Sequence, residues 1–204
     1  MKFILFVEGE TERTALPTFL KRWLDPRLNR CVGIDPVKFD GCKALIRKSP
    51  LKAGIYLKQS DVIAVIGLLD LYGPDFPDDK KDAESRYQWA KADLERRVDH
   101  ERFRQFFAVH EIEAWLLSDP SIFPLAVQNV LKKEHRQPEE VNFHKPPARL
   151  LDGIYEIWRR KRYIKPVDGK GLFSKLDPGL VYTKCPKFKE MMDEMLNLAK
   201  AAGL

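Results

Sequence analysis

Lys2-Phe3-Ile4-Leu5-Phe6-Val7-Glu8-Gly9-Glu10-Thr11-Glu12 opens the chain and decides its reading. Phe3 to Val7 are five large apolar side chains in a row, the signature of a strand buried on both faces in a parallel sheet. The run ends in a carboxylate, a glycine and two further carboxylates. Gly9 permits a sharp turn that a residue with a Cβ resists, and Glu10 or Thr11 then starts a helix. Glu8 is thereby placed at the carboxyl end of a central strand, where open α/β sheets receive their ligands.

Working outward, Leu16, Phe19, Leu20 and Trp23 share one helical face up to Leu24, with Pro17 in the early turns and Asp25-Pro26 as the stop. Residues 31–39 predict a second strand, demoted to an edge by Asp35-Pro36. Residues 42–59 predict a basic helical region interrupted at Ser49-Pro50. Val62-Ile63-Ala64-Val65-Ile66-Gly67-Leu68-Leu69 is the most apolar run and again closes on an acid, Asp70. An acidic, Gly- and Pro-containing loop (residues 71–79) precedes a charged helix at 82–98. Phe103 to Val109 is a further strand, ending in His110-Glu111-Ile112-Glu113 before a helical turn at 114–117. Beyond about residue 120 only helical patterns are found, at 148–162, 169–176 and 186–202. The expected fold class is therefore α/β: a mainly parallel central sheet flanked by helices in residues 1–120. A mainly helical C-terminal portion, 121–204, packs on the same domain.

With 204 residues, 44% hydrophobic and 32% charged, the composition fits a globular protein with a substantial core. No apolar run approaches the roughly 20 residues of a membrane span, and the start does not read as a signal peptide. Cys31, Cys42 and Cys185 show neither a disulfide framework nor metal-binding spacing, so reduced thiols and a cytoplasmic location are expected. The net charge of +6 is uneven. Residues 1–60 carry 12 basic and 6 acidic side chains, 61–125 carry 8 and 14, and 126–190 carry 15 and 8. Basic flanks around an acidic centre suit cations in the middle and a polyanion along the edges, although a mixed solvated surface gives the same tally.

Three strand-like runs deliver acids at their carboxyl ends: Glu8, Asp70 and the Glu111/Glu113 pair. Neighbouring strands lie ~4.8 Å apart, so these carboxylates converge on one cation if their strands are adjacent. An oxygen-rich cluster with few imidazoles favours Mg²⁺ or Mn²⁺ over zinc.

FVEGETER (6–13), LLDLYG (68–73) and FFAVHEIEAWLLSD (106–119) carry a resemblance to the Toprim catalytic fold. That fold is shared by topoisomerases, primases and OLD-family nucleases. More closely, the three motifs in this order resemble a family of bacterial Toprim-like proteins, domain of unknown function family 4276. By that resemblance Glu8 is the Toprim glutamate and Asp70 the first aspartate of the Asp-x-Asp pattern, both catalytic and metal-binding. The second aspartate is replaced by Tyr72. Its place is open to Asp75, Asp78 or Asp79, or to Glu111 and Glu113. Glu113 is favoured as a catalytic and metal residue, with Glu111 and Asp75 as further metal ligands. Whether Glu8 ligates or acts as general base stays open, and a complement to a helix N-terminus is the structural alternative for Glu111 and Glu113.

The resemblance implies metal-assisted phosphodiester hydrolysis in DNA or RNA. The topoisomerase and primase readings lack their accessory machinery in this sequence. OLD-type nucleases also use a basic residue after the acids: Lys165, Lys170, Lys175 and Lys184 qualify, with Lys170 in Asp168-Gly169-Lys170-Gly171 preferred. Arg159-Arg160-Lys161-Arg162 is the expected nucleic-acid-binding run, or else the solvated end of an amphipathic helix. The resemblance further implies a bacterial anti-phage setting and an ATPase partner on a separate chain, because no GxxxxGK[ST] is present here. Self-association is compatible with all of this. The competing expectation, kept open by Tyr72, is a non-catalytic metal- or nucleic-acid-binding partner or sensor subunit.

Overall fold

The computed structural model describes residues 1–77, 79–80, 82–131, 137–140 and 146–204, without the side chain of Arg159. Four strands form one all-parallel sheet in the order β2-β1-β3-β4: β1 Lys2–Val7, β2 Gly33–Lys38, β3 Val62–Asp70 and β4 Phe103–Ala108. The crossovers are α1 (Glu10–Leu24), α2 (Cys42–Tyr56) and α3 (Ala83–Val98). β1 pairs with both β2 and β3 in parallel register, Phe6 opposite Val37 on one side and Gly67 on the other. β3 and β4 run in register to the pair Asp70 and Ala108. Parallel pairing puts every strand's carboxyl end on one edge, so the three acidic runs emerge side by side.

The alternation within β1 sets the two faces. Phe3, Leu5 and Val7 join a core cluster with α1 and with the helices after residue 112. Ile4 and Phe6 face the opposite way, with Val65, Leu69 and Phe107, toward α2 and α3. The later helices are α4 (Glu113–Leu116), α5 (Leu125–Gln128), α6 (Pro147–Arg159), α7 (Lys170–Lys175), α8 (Pro178–Lys184) and α9 (Pro186–Ala201). Trp115 of α4 is 1% exposed and meets Phe188 of α9 edge-on at 4.8 Å, with Phe19 of α1 and Phe173 of α7 around it. Such a fully buried indole contributes about 3–5 kcal/mol relative to alanine. It ties the helical C-terminal portion to the first helix.

Three local expectations need correction. α2 continues through Pro50 rather than breaking at Ser49-Pro50, because Leu45, Ser49 and Ala53, spaced by four, are all buried on its inner side. α6 stops at Arg159 and not 162, where Arg160 turns into the left-handed region at φ 54°. Helix α8 was not anticipated; Asp177 caps it by accepting from the Gly179 N–H at 2.8 Å, with Pro178 in its first turn. Among the described residues no helix is long and apolar enough to cross a membrane.

Candidate metal centre

Because β1 and β3 are neighbours, Glu8 and Asp70 meet. The Asp70 N–H donates to Glu8 Oε1 at 3.2 Å, which pins the glutamate across the two strand ends. Asp70 Oδ1 in turn accepts from the Ile112 N–H at 3.0 Å, joining β3 to the segment that follows β4. A third carboxylate completes the group. Glu12, in the first turn of α1 and 8% exposed, folds back so that oxygens of Glu8, Glu12 and Asp70 all lie within 4.8 Å of one another.

Gly9 makes this fold-back possible. Its backbone is extended (φ −128°), so its role is space rather than a turn that only glycine can adopt. A Cβ at residue 9 would stand 2.5 Å from Glu12 Oε2. The Val-Glu-Gly turn therefore admits the second glutamate of its own sequence into the site.

The electrostatics are those of anions crowded without enough compensation. Burial pushes the Glu8 carboxyl above its ordinary range, and the Glu12 charge adds to the shift against the Asp70 amide. Burial raises Glu12 in the same direction. Asp70 is raised well above its ordinary value by burial, then by the charges of Glu113 and Glu8. Burial and the neighbouring carboxylates penalise the ionised form, which a bound cation would reverse.

Glu111 and Glu113 both reach the site's edge, and both engage one lysine. Lys165 Nζ lies 3.1 Å from Glu113 Oε2 and 3.7 Å from Glu111 Oε1. The two acids are brought to the same side because Glu111 precedes α4 while Glu113 is its first helical residue. Glu111 Oε2 also accepts from the Ala148 N–H at 2.9 Å in the first turn of α6, so it does complement a helix N-terminus. Glu113 is fully buried, its pKa is pushed up to about 7 by burial against the pull of Lys165, and its Oε1 has no hydrogen-bond partner among the described residues. Burial works against the Lys165 charge, but Glu113, Asp70 and Glu111 outweigh it and raise its pKa.

Lys165 opens a π-helical turn, Lys165–Gly169, whose start is fixed by the Ile164 N–H donating to Asp168 Oδ2 at 2.7 Å. Gly169 presses this turn against α1: a Cβ there would sit 3.2 Å from Thr11 Cγ2 and 2.8 Å from the Tyr163 hydroxyl. The structure thus brings Lys165, and not Lys170, into ion pairing with the acids. Lys170 is exposed in a groove with Thr14, Thr18 and Arg22.

Asp75 is exposed and paired with Lys43 at 3.5 Å. Asp79 is exposed and paired with Lys80, and Asp78 lies outside the described residues. Tyr72, at the position of the second aspartate, is 37% exposed and packs on the His110 ring at 5.4 Å. In the basic run, Arg160, Lys161 and Arg162 are exposed and Arg162 approaches Asp152 at 4.0 Å; the Arg159 side chain lies outside the described residues.

The donor set fits a hard divalent cation. Two oxygens on opposite sides of a Mg²⁺ ion lie about 4.2 Å apart, a spacing that Glu8, Glu12 and Asp70 could meet with small rotamer adjustments. Carboxylates alone, without imidazole or thiolate, favour Mg²⁺ or Mn²⁺.

A protein family described as "Domain of unknown function (DUF4276)" matches residues 7–196, which include the acids of all three motifs. The chain belongs to this family. No curated protein matches it. Among solved structures, this DUF4276 member is similar to the C-terminal region of the Burkholderia pseudomallei OLD protein, with a TM-score of 0.51 and 18% identity. The similarity covers 98% of this chain and 97% of that one. The α/β fold expected from the Toprim resemblance is therefore the fold observed.

Proposed function

We propose that this DUF4276 protein is a nuclease that hydrolyses phosphodiester bonds in DNA or RNA with a divalent cation, Mg²⁺ or Mn²⁺, held by Glu8, Glu12 and Asp70. The observation that carries the reading is the convergence of those three carboxylates within 4.8 Å, Glu8 and Asp70 from the ends of two adjacent parallel strands and Glu12 from the first turn of α1. When bound there, the cation supplies Lewis acidity toward water and offsets charge on the phosphate. Lys165 adds a fixed positive charge beside the site, held in place by Glu113 and Glu111. It suits the role of the basic residue that neutralises a phosphoryl oxygen. Glu113, with a pKa of about 7, is poised to take or return a proton near neutrality.

The test is cleavage of supercoiled plasmid and of RNA in Mg²⁺ or Mn²⁺, with EDTA as the blank. Wild type should cut, and Glu8→Gln, Glu12→Gln and Asp70→Asn should each lose on the order of 100-fold in rate. Cleavage that survives in all three variants refutes the site.

Tyr72 supports a second reading. Its aromatic ring stands where the Asp-x-Asp pattern has an acid, which suits a non-catalytic cation- or nucleic-acid-binding partner or sensor subunit. Cation-dependent binding of nucleic acid without cleavage by wild type selects that reading. In either case we place the protein in the cytoplasm, in an anti-phage setting with an ATPase partner, on the strength of the OLD-type resemblance.

A further inference from the structure

Helix α2 has an unbalanced outer face. Cys42–Tyr56 contains Lys43, Arg47, Lys48 and Lys52 and no acid, and all four cations are exposed. Their neighbours on that face are two exposed aliphatic side chains, Leu51 (74%) and Ile55 (52%). Lys43 pairs with Asp75, but Arg47, Lys48 and Lys52 make no ion pair with the described residues. On the facing helix α3, by contrast, Arg96 and Arg97 both grip Asp93. From Lys43 to Lys52 the row spans about 13.5 Å of helix axis at 1.5 Å per residue, a length that suits an extended anion.

The row also leads to the metal centre. The Gly41 N–H, just ahead of α2, donates to the Glu8 carbonyl at 3.3 Å. Between α2 and α3 runs a groove of ≈ 300 Å³, walled by Lys43 and Arg47 on one side and by Trp89 and Arg97 on the other. Pro74 and Asp75, in the loop that follows Asp70, close its end.

We propose that the outer face of α2 and the α2/α3 groove hold the sugar–phosphate backbone of the nucleic acid whose phosphate is presented to Glu8, Glu12 and Asp70. This rests on the nuclease reading for the identity of the site, not for the binding. Lys43, Arg47, Lys48 and Lys52 supply phosphate contacts. Trp89, half-buried at the groove, offers a face to an unstacked base, and such stacking tolerates any sequence. The surface is distinct from the Arg160-Lys161-Arg162 run, which lies beyond α6.

The experiment is fluorescence anisotropy with a labelled 30-nucleotide DNA, single-stranded and duplex, and the matching RNA. Ca²⁺ replaces Mg²⁺, so binding is read whether or not cleavage occurs. The triple variant Arg47→Gln/Lys48→Gln/Lys52→Gln should bind about 10²-fold more weakly near 0.1 M salt. Its slope of log affinity against log salt should be shallower by about 2–3. Arg160→Gln/Lys161→Gln/Arg162→Gln should bind as wild type does. All six positions are exposed, and unchanged thermal unfolding verifies that both variants are folded. Loss of binding in the second variant with retention in the first overturns the proposal, as does absence of oligonucleotide binding by wild type. Tighter binding to phosphatidylserine vesicles than to oligonucleotides overturns it in favour of a membrane surface. Wild type that binds but never cuts leaves this surface standing and sinks the nuclease reading. Cleavage with unchanged binding by the first variant does the reverse.

Discussion

Glu12→Gln should make the cation-free protein more stable and the cation-saturated protein less so than wild type. Glu12 faces Glu8 and Asp70 with carboxylate oxygens within 4.8 Å. Two unit charges at that separation repel by about 3.5 kcal/mol at an effective dielectric near 20 and about 0.9 kcal/mol in water. Lys165 offsets part of this by lowering the pKa values of both Glu8 and Glu12. Removing one charge from the cluster, with the side-chain volume kept, should therefore add about 1–3 kcal/mol in EDTA. For a chain of this length that corresponds to roughly 3–10 °C in Tm. In Mn²⁺ at a hundredfold excess over Kd, wild type gains about 2.7 kcal/mol, or roughly 5–11 °C. The variant, having lost a charged ligand, should gain far less at the same concentration, so the order of the two melting temperatures inverts. Gly9→Ala supplies an independent arm. Its Cβ displaces the Glu12 carboxylate without removing a charge from the chain, so the Mn²⁺ gain should fall without the stabilisation in EDTA. Scanning calorimetry at pH 7.5 and low salt reads both quantities. A Glu12→Gln protein that melts below wild type in EDTA and keeps the full Mn²⁺ gain refutes the assignment of Glu12 to the cluster.

The two lysines separate cleanly. Lys165→Met should abolish most cleavage and lower stability by about 1–2 kcal/mol, discounted for the 41% exposure of the lysine, because it strips buried Glu113 of its partner. Lys170→Met should leave cleavage rate and unfolding unchanged. At Glu139, burial pushes the pKa up to about 7 despite the backbone N–H groups of Lys187 and Phe188 that its carboxylate accepts. The fold favours the protonated acid, so its contribution is complete below the unfolded value near 4.5 and is lost as pH rises to about 7. Denaturant titrations should show up to about 3 kcal/mol of this loss in wild type and a flatter profile in Glu139→Gln; equal slopes refute it.

What could be read from the chain, and what could not, divides along sequence distance. β1 and β3 announce themselves because a strand buried on both faces leaves an uninterrupted apolar run, and Glu8 and Asp70 stand out as charges ending such runs. That the two touch depends on β1 lying beside β3, a matter of strand order that periodicity does not encode. For the carboxylate missing at Tyr72 the sequence offers acids further along the chain, in the acidic loop and at Glu111 and Glu113. The third carboxylate that stands beside Glu8 and Asp70 in the structure comes from earlier in the chain, at Glu12. In sequence, Glu12 resembles any acid in a helix's first turn, where the helix dipole alone is reason enough for it. Lys165 is one of four candidate lysines, among which the segment Asp168-Gly169-Lys170-Gly171 singles out Lys170; Gly169 instead lets the turn pack against Thr11, and it is Lys165 that pairs with Glu113 and Glu111. The structure shows what ties Glu12 to the turn before it. In Glu8-Gly9-Glu10-Thr11-Glu12 the glycine has an ordinary extended backbone, so its lack of a Cβ has to serve a neighbour, and the group that would collide with that Cβ is the Glu12 carboxylate. The glycine and the second glutamate are one device, and the Val-Glu-Gly turn brings two acids of its own sequence into the three-carboxylate cluster.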